Sequence, residues 1–219
     1  MFDWWRRKSA QPTELERRMS DALADYPVYE LPKWDSATKS PRDAATEYAQ
    51  FFLDNRAHRL DSLRKFLARF DVALSFDDAG VMALSTWHPL YADLLLDEWT
   101  EEIQLSYIYF DQPWAAGLLG LNVVFDLGVY FGECMLFRNP RLRWSPMRYH
   151  DYHDAHSVAH PIFGAHDKVF DPVRSMYITC ARIRGAKRRR NRRYGTGREF
   201  LKAESFFRMI QGEVQRLSA

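Results

Sequence analysis

The chain has 219 residues, a formal net charge of +2, and ordinary proportions of hydrophobic (47%) and charged (27%) residues. A net charge this close to zero argues against a protein that binds nucleic acid or a membrane with its whole surface. Aromatic side chains are abundant, at 15%, and large rings fill a core with few residues. The length and composition predict one domain that folds without disulfides or structural metals.

The two cysteines and the N-terminus indicate where the protein works. Cys134 and Cys180 lack CxxC spacing, which excludes a disulfide framework and a thiolate zinc site and predicts buried thiols in a reducing compartment. No apolar stretch follows the first basic residues, as a secretory signal would require. The longest uncharged run, residues 112–125, is too short to span a bilayer. We therefore predict a soluble cytoplasmic protein without a transmembrane segment.

Two capping patterns mark the first helix starts. Thr13 followed by Glu16 has the spacing of a capping box and predicts a short helix that ends near Asp25. Ser40-Pro41 combines a capping side chain with a proline at the first helical position, where no backbone N–H is needed. It predicts a second helix that ends near Phe70.

The stretch between these helices, residues 26–39, contains two prolines and is typical of a linker. We therefore predict that residues 1–39 form an appended N-terminal helix and linker, and that residues 40–219 form a single α-rich globular domain. Within the second helix, Asn55 and Arg59 interrupt an apolar stripe, which predicts a bend or a buried polar contact at that point.

A third helix is predicted to begin around Ser75 and Asp77 and to run toward Leu95, with Pro89 kinking or dividing it. The stretch 103–110 has the residue types of a strand between helical flanks, and helix is slightly favoured.

Residues 111–137 are apolar almost all round, which predicts the central buried helix of the fold. At 100° per residue, Gly120, Gly128 and Gly132 share one side, where a neighbouring backbone can approach closely.

A polar stripe lies on the opposite side of this central helix. Such a stripe must be paired or line a cleft, and two carboxylates on one helix face can perform acid–base chemistry. The favoured interpretation is a structural seam, in which Glu133 pairs with an arginine such as Arg141 or Arg143. The stripe consists of Asn122, Asp126, Tyr130 and Glu133.

The remaining elements are a hairpin and two helices. Residues 141–164 predict a small β-hairpin with Trp144 and Ile162 facing inward. Asp171-Pro172 predicts a helix toward Ile183, followed by a basic connection over residues 185–195. Thr196 with Glu199 predicts a final helix with an apolar face of Phe200, Phe207, Ile210, Val214 and Leu217. The fold class is therefore α+β, predominantly α-helical, with helices around a central buried helix at about 111–137.

The segment Gly128-Val129-Tyr130-Phe131-Gly132-Glu133 resembles a loose group of uncharacterised bacterial proteins. Their pattern is G-x-Y-x-G-E near the end of an apolar helix, a later Trp, a short strand with Pro, and a helix that begins with Pro. Trp144, Pro161 and Phe170-Asp171-Pro172 take those places here, and the resemblance covers about Leu74 to Ile183.

Members of this group are similar to proteins encoded near polymorphic toxin systems, some of which act as immunity proteins. The resemblance therefore implies a non-enzymatic, protein-binding role. This sequence departs from the group's pattern by a histidine cluster after Trp144 and by a basic run after Ile183.

Five of the seven histidines lie between residues 150 and 166, with aspartates between them. Imidazole and carboxylate are ligands of Zn, Mn, Fe and Ni, so a metal-dependent enzyme is one hypothesis. The spacing matches no established metal motif, and a polar hairpin tip with local hydrogen bonds explains the composition without a metal, so no cofactor is predicted. The candidate ligands are His150, His153, His156 and His160.

Residues 182–198, here called the basic segment, carry nine positive charges and no negative charge. Such a segment can neutralise phosphates or an acidic protein surface, and Tyr194 can stack on a base. A solvated loop that binds nothing has the same composition. The candidate binding residues are Arg188, Arg189, Arg190, Arg192, Arg193 and Tyr194.

Three functions follow in order of preference. The first is a non-enzymatic, immunity-like protein-binding module with an acidic protein as its partner. Nucleic-acid or polyanion binding through the basic segment is the second, and a metal-dependent enzyme that uses the histidine cluster is the third. The oligomeric state is left open.

Overall fold

The structure is a computed structural model that describes residues 11–29, 41–96, 118–144, 162–164, 168–188 and 198–219. It is predominantly helical with one small antiparallel sheet, as the sequence predicts. The helices are α1 (Glu14–Leu23), α2 (Pro41–Ala68), α3 (Asp78–Tyr91), α4 (Leu119–Arg138), α5 (Pro172–Arg188) and α6 (Ser205–Ser218), the strands are β1 (Arg143–Trp144), β2 (Ile162–Phe163) and β3 (Val169–Phe170), and two 3-10 turns cover Leu94–Leu96 and Arg198–Leu201.

Helix α1 begins at the predicted capping box. The Thr13 hydroxyl accepts a hydrogen bond from the Glu16 N–H (3.2 Å), and the Glu16 carboxylate accepts one from the Thr13 N–H (2.6 Å). The boundary between an appendage and a domain at residue 40 stays a prediction. The described residues up to 29 nevertheless contribute to the common core, through Met19, Ala22, Tyr26 and Tyr29.

The next two helices also begin where the sequence predicts. Helix α2 starts at Pro41, and Arg59 within it is buried, so the predicted buried polar contact is confirmed. Asp77 caps α3 by accepting a hydrogen bond from the Gly80 N–H (2.9 Å). Pro89 lies in the last turn of α3, and the helical stretch toward Leu95 is divided after it.

Helix α4 is the central buried helix. Of its 20 residues, 14 are buried, and it contacts α2, α5, α6 and the turn at Leu94–Leu96. By length and composition it is also apolar enough to cross a membrane, but 78% of its most apolar window is buried inside the protein. That burial is typical of a core helix. The predicted first turns, residues 111–117, lie outside the described residues.

Two glycines of α4 allow close backbone contact, as predicted. A Cβ on Gly128 would lie 2.5 Å from the Cα of Val173 at the start of α5, and a Cβ on Gly120 would lie 2.0 Å from the carbonyl oxygen of Leu95. Gly132 faces a side chain instead, because a Cβ there would meet the indole ring of Trp144 at 2.0 Å. These contacts bring α5 and β1 directly against the central helix.

The predicted hairpin exists and gains a third strand. Strand β1 pairs antiparallel with β2, with Trp144 opposite Ile162, and β2 pairs antiparallel with β3. Trp144 and Ile162 are both buried, as the sequence predicts. The sheet therefore packs on α4 through the two residues that face inward.

The last two helices differ from the prediction at their ends. Helix α5 starts at Pro172, with Asp171 accepting a hydrogen bond from the Arg174 N–H, but it continues past Ile183 and Gly185 to Arg188. Helix α6 begins at Ser205 rather than after Thr196, and Glu199 lies in a 3-10 turn. The buried phenylalanine of α6 is Phe206, whereas Phe207 is half-buried.

Candidate functional site

The polar stripe of α4 centres on an ion pair inside the core. The Asp126 carboxylate on α4 accepts two hydrogen bonds from the Arg59 guanidinium on α2, at 2.9 Å (Nε–Oδ1) and 2.6 Å (Nη2–Oδ2). Their side chains are 0% and 4% exposed. Two parallel charge-assisted hydrogen bonds fix both the distance and the orientation of the two groups.

The chain that follows α1 closes over this ion pair. The Tyr26 hydroxyl donates to the Asp126 carboxylate, and the Pro27 carbonyl accepts a hydrogen bond from Arg59 Nη1 (2.9 Å). The guanidinium carbon of Arg59 also lies 5.7 Å from the centre of the Tyr26 ring. One buried pair therefore joins α2, α4 and the stretch that the sequence assigned to a linker.

Asn122 extends the same contact toward the start of α4. Its side-chain oxygen accepts a hydrogen bond from the Tyr29 N–H (2.6 Å), and its side-chain nitrogen donates to the Leu118 carbonyl (3.2 Å). The Tyr29 ring stacks on Phe125, with centroids 4.6 Å apart. A buried amide thus satisfies one backbone group of the N-terminal segment and one of its own helix.

Burial raises the pKa of Asp126 to about 6, while Arg59 and the Tyr26 hydroxyl act against that rise by favouring the carboxylate. The carboxylate is therefore ionised at neutral pH. Its oxygens are occupied by protein donors, and it is fully buried. An acid–base catalyst needs access to a substrate proton, which this position does not offer.

The other two members of the stripe have separate partners. Tyr130 donates a hydrogen bond from its hydroxyl to the Ser75 carbonyl (2.6 Å), beside the start of α3. Glu133 accepts one from Trp144 Nε1 (2.7 Å) and forms an ion pair with Arg56 Nε (3.1 Å). The arginine beside Glu133 is thus on α2, and the expected pairing with Arg141 or Arg143 is replaced by this one.

The stripe has the geometry of a structural seam. Asp126 and Glu133 are seven residues apart, about 10 Å along the helix axis, and each faces its own arginine. Their mutual repulsion is weak at that separation compared with the attraction of each adjacent guanidinium. The acid–base interpretation required two coupled carboxylates, and this arrangement does not couple them.

A second buried polar contact joins α3 and α5. His88 is fully buried, with Nε2 at 3.4 Å from the Sγ of Cys180, and Nδ1 has no hydrogen-bond partner among the described residues. Burial and the nearby Lys187 lower the pKa of His88 to about 4. Burial raises the pKa of the Cys180 thiol, and Cys134 is also buried, so both cysteines suit inert thiols.

The basic segment starts as helix rather than as loop. Arg182, Arg184, Lys187 and Arg188 all lie in α5. Lys187 Nζ donates to the Leu90 carbonyl (2.7 Å) and pairs with Asp93 (2.6 Å). The guanidinium of Arg182 lies 5.3 Å from the centre of the Phe200 ring. At least two of the nine charges therefore anchor the segment to the fold.

The other candidate residues lie outside the described residues. This applies to Arg189, Arg190, Arg192, Arg193 and Tyr194, and of Arg188 the structure gives only its place in α5. It also applies to the four candidate metal ligands, His150, His153, His156 and His160. Within the part of the chain that the structure describes, no group of three His, Cys, Asp or Glu side chains is arranged to hold a metal ion.

The contacts that sequence reasoning missed were long-range ones. The partners of Asp126 come from Tyr26 and Arg59, 100 and 67 residues earlier in the chain. The interrupted stripe of α2 signalled that Arg59 makes a polar contact, but nothing local signalled its partner. Tyr26 carried no signal, because Pro27 indicated a linker.

The fold and these sites define a class only in general terms: a predominantly helical protein with a small antiparallel sheet and a buried polar seam. No family model, no curated protein and no solved structure matches the chain.

Proposed function

We propose that the protein is a non-enzymatic, immunity-like protein-binding module that recognises an acidic protein partner through the basic segment. The observation that carries this proposal is the one-sided charge of residues 172–198, which include ten arginines and lysines and no aspartate or glutamate. A surface of a single sign attracts a partner of opposite sign and excludes partners of the same sign.

The contrast with other helical surfaces supports this proposal. Four arginines on other described helices are matched by a carboxylate three or four residues away, in the pairs Arg17–Glu14, Arg64–Asp61, Arg208–Glu204 and Arg216–Glu213. Such pairs neutralise each other in cis. Helix α5 itself contains no carboxylate that could neutralise its basic residues in cis. Lys187 pairs instead with Asp93, and Arg174 lies near Asp171, just before the helix.

The same features favour binding over catalysis. All four members of the polar stripe of α4 have partners, and three of them are buried. The anchoring of Arg182 and Lys187 holds the base of the basic segment against α3 and the turn that contains Phe200. An anchored base favours binding, because a segment that is already held in place loses less conformational entropy when the partner docks. The resemblance to proteins encoded near toxin systems agrees with a protein as the ligand.

The experiment removes charge from the basic segment and, as a control, from paired surface positions. The test variant replaces Arg188, Arg189 and Arg190 with Ser, and the control variant replaces Arg17, Arg64 and Arg208 with Ser. Both remove three positive charges, and melting temperatures verify folding. Poly-L-glutamate binding should weaken by about tenfold or more in the test variant and far less in the control variant.

Two further measurements separate the proposal from its alternatives. If a single-stranded DNA oligonucleotide of equal charge binds much more tightly than poly-L-glutamate, nucleic-acid binding replaces the proposal. If protein purified without a histidine tag retains one equivalent of zinc, manganese or iron after dialysis, a metal-dependent enzyme becomes the first function to test.

A further inference from the structure

We infer that the protein partner also docks along the outer face of α5, and that the part of the partner bound there is an acidic amphipathic helix. This inference rests on the proposed function and specifies the shape and chemistry of what binds. The outer face consists of Arg174, Ile178, Arg182 and Gly185, together with Leu201 of the neighbouring turn.

The buried and outer faces of α5 follow from its periodicity. Val173, Met176, Cys180 and Ile183 are fully buried and face α4 and the turn at Leu94–Leu96. At 100° per residue, the residues of the outer face point away from that side. Arg174 is exposed, and Ile178 between the two arginines is 38% exposed.

Gly185 marks open space at the end of this face. A Cβ placed on it would meet no atom within 4 Å. Glycine lowers the stability of a helix interior, and here no close contact within the described fold requires it. A partner that approaches α5 closely at this position provides a reason for a residue without a side chain.

The apolar part of the face continues onto the next turn. Arg182 lies over the ring of Phe200, and Leu201 beside it is 37% exposed. Ile178, one turn before Arg182, and Leu201, the residue after Phe200, therefore both offer exposed apolar area, and a ring contact holds the arginine in place. Apolar contacts flanked by arginine are typical of protein–protein interfaces.

Charge complementarity identifies the occupant. The outer face places Arg174, Ile178 and Arg182 at intervals of four residues, so a matching helix presents carboxylates on either side of an apolar residue. The arginine fork binds carboxylates in a bidentate manner, and Arg174 to Gly185 spans about 16 Å, or three helical turns. The face carries no Trp or Tyr of the kind that anchors proteins at a lipid surface, which favours a protein helix.

The test uses two peptides of equal charge and the full-length protein. One peptide is a helix of Glu, Ala and Leu, with Leu at positions i and i+4, and the other has Ser in place of Leu. The wild-type protein should bind the Leu peptide about tenfold more tightly. Ile178→Ser and Gly185→Gln should abolish that preference, the first by removing the apolar contact and the second by blocking close approach.

Matched controls are available on other surfaces. Leu15→Ser removes a comparably exposed residue, and Gly212→Gln fills another glycine position where a Cβ meets nothing within 4 Å, so both should keep the preference. Equal binding of the two peptides, or an unchanged preference in Gly185→Gln, overturns the inference while the proposed function stands. If neither peptide binds, the proposed function fails as well. Preference for phosphatidylserine vesicles over the Leu peptide overturns the inference in favour of a lipid surface.

Discussion

Arg59 and Asp126 form a buried bidentate ion pair that joins the two longest described helices, α2 and α4. The Pro27 carbonyl and the Tyr26 hydroxyl complete its hydrogen bonds. Each partner of a buried pair depends on the other to offset the loss of hydration. The pair therefore specifies how the N-terminal segment and the two helices come together, and its energetics can be tested directly.

Asp126→Asn should destabilise the protein by about 3–5 kcal/mol, because Arg59 would keep its charge in the core without a counter-charge. The measurement is urea unfolding at neutral pH. The control is Asp61→Asn, whose partners Arg64 and Lys65 are on the surface, and it should cost far less, because solvent screens exposed ion pairs. Replacing both core partners, with Arg59→Met and Asp126→Leu together, should cost less than Asp126→Asn alone. Equal, small losses for Asp126→Asn and Asp61→Asn would contradict a buried pair.

Glu133→Gln should lower stability by about 1 kcal/mol, less than the change at Asp126. The substitution removes the charge beside Arg56 but keeps an acceptor for Trp144 Nε1, and both charged side chains retain some exposure, at 29% and 18%. Glu133→Leu removes the acceptor too and should cost more. Thermal unfolding of the two variants tests this order, and a melting temperature unchanged in both would refute the structural role of Glu133.

Gly128→Ala and Gly185→Ala should change stability in opposite directions. At Gly128 the new Cβ would lie 2.5 Å from the Val173 Cα, so α4 and α5 must separate, at a cost of about 1–3 kcal/mol. At Gly185 it meets nothing, so alanine should stabilise the helix by about 0.5–1 kcal/mol. Urea unfolding measures both. A neutral Gly128→Ala variant would mean that the two helices do not pack so closely.

His88 should make the protein sensitive to acid. Its pKa falls from 6.5 to about 4 on burial, so between these values the unfolded state binds a proton that the folded state does not. The free energy of unfolding therefore falls as the pH falls through this window, by up to about 1.4 kcal/mol per pH unit. Above pH 6.5 the histidine is neutral in both states, and the protein has its full stability with respect to this group.

The titration of Asp126 changes the free energy of unfolding in the opposite direction. The effect of His88 must therefore be measured with a variant that lacks the histidine. Its pKa rises from 3.8 to about 6, so its contribution to stability is present at low pH and declines as pH rises through that window. The difference in unfolding free energy between wild type and His88→Gln isolates the histidine. It should change steadily between pH 6.5 and 4.5, and a constant difference would show that His88 does not titrate in this way.

Local signals in the sequence predicted most of the architecture. The capping pairs at Thr13, Asp77 and Asp171 depend on residues within four positions, and all three mark observed helix starts. The apolar run predicted the central helix, and Trp144 and Ile162 predicted the inward side of the hairpin. These features are encoded by neighbours in sequence, so a single sequence reveals them.

The features that depend on distant contacts could not be predicted in the same way. Gly185 indicated the end of α5, but Lys187 binds the Leu90 carbonyl and Asp93, 97 and 94 residues earlier, and the helix continues to Arg188. Basic residues at a helix C-terminus also stabilise the helix by interacting favourably with its dipole. In the candidate site, the sequence identified the polar stripe and the basic charge but not Tyr26, Arg56 or His88 as partners.

The most direct test of binding through the basic segment measures the affinity of full-length protein for poly-L-glutamate at several salt concentrations. Wild type and the variant with Arg188, Arg189 and Arg190 changed to Ser are compared with the control variant at Arg17, Arg64 and Arg208. We expect strong salt dependence in wild type and in the control variant, and a weaker affinity with a shallower salt dependence in the Arg188–Arg190 variant. Equal affinity and equal salt dependence in all three folded proteins would contradict binding through the basic segment.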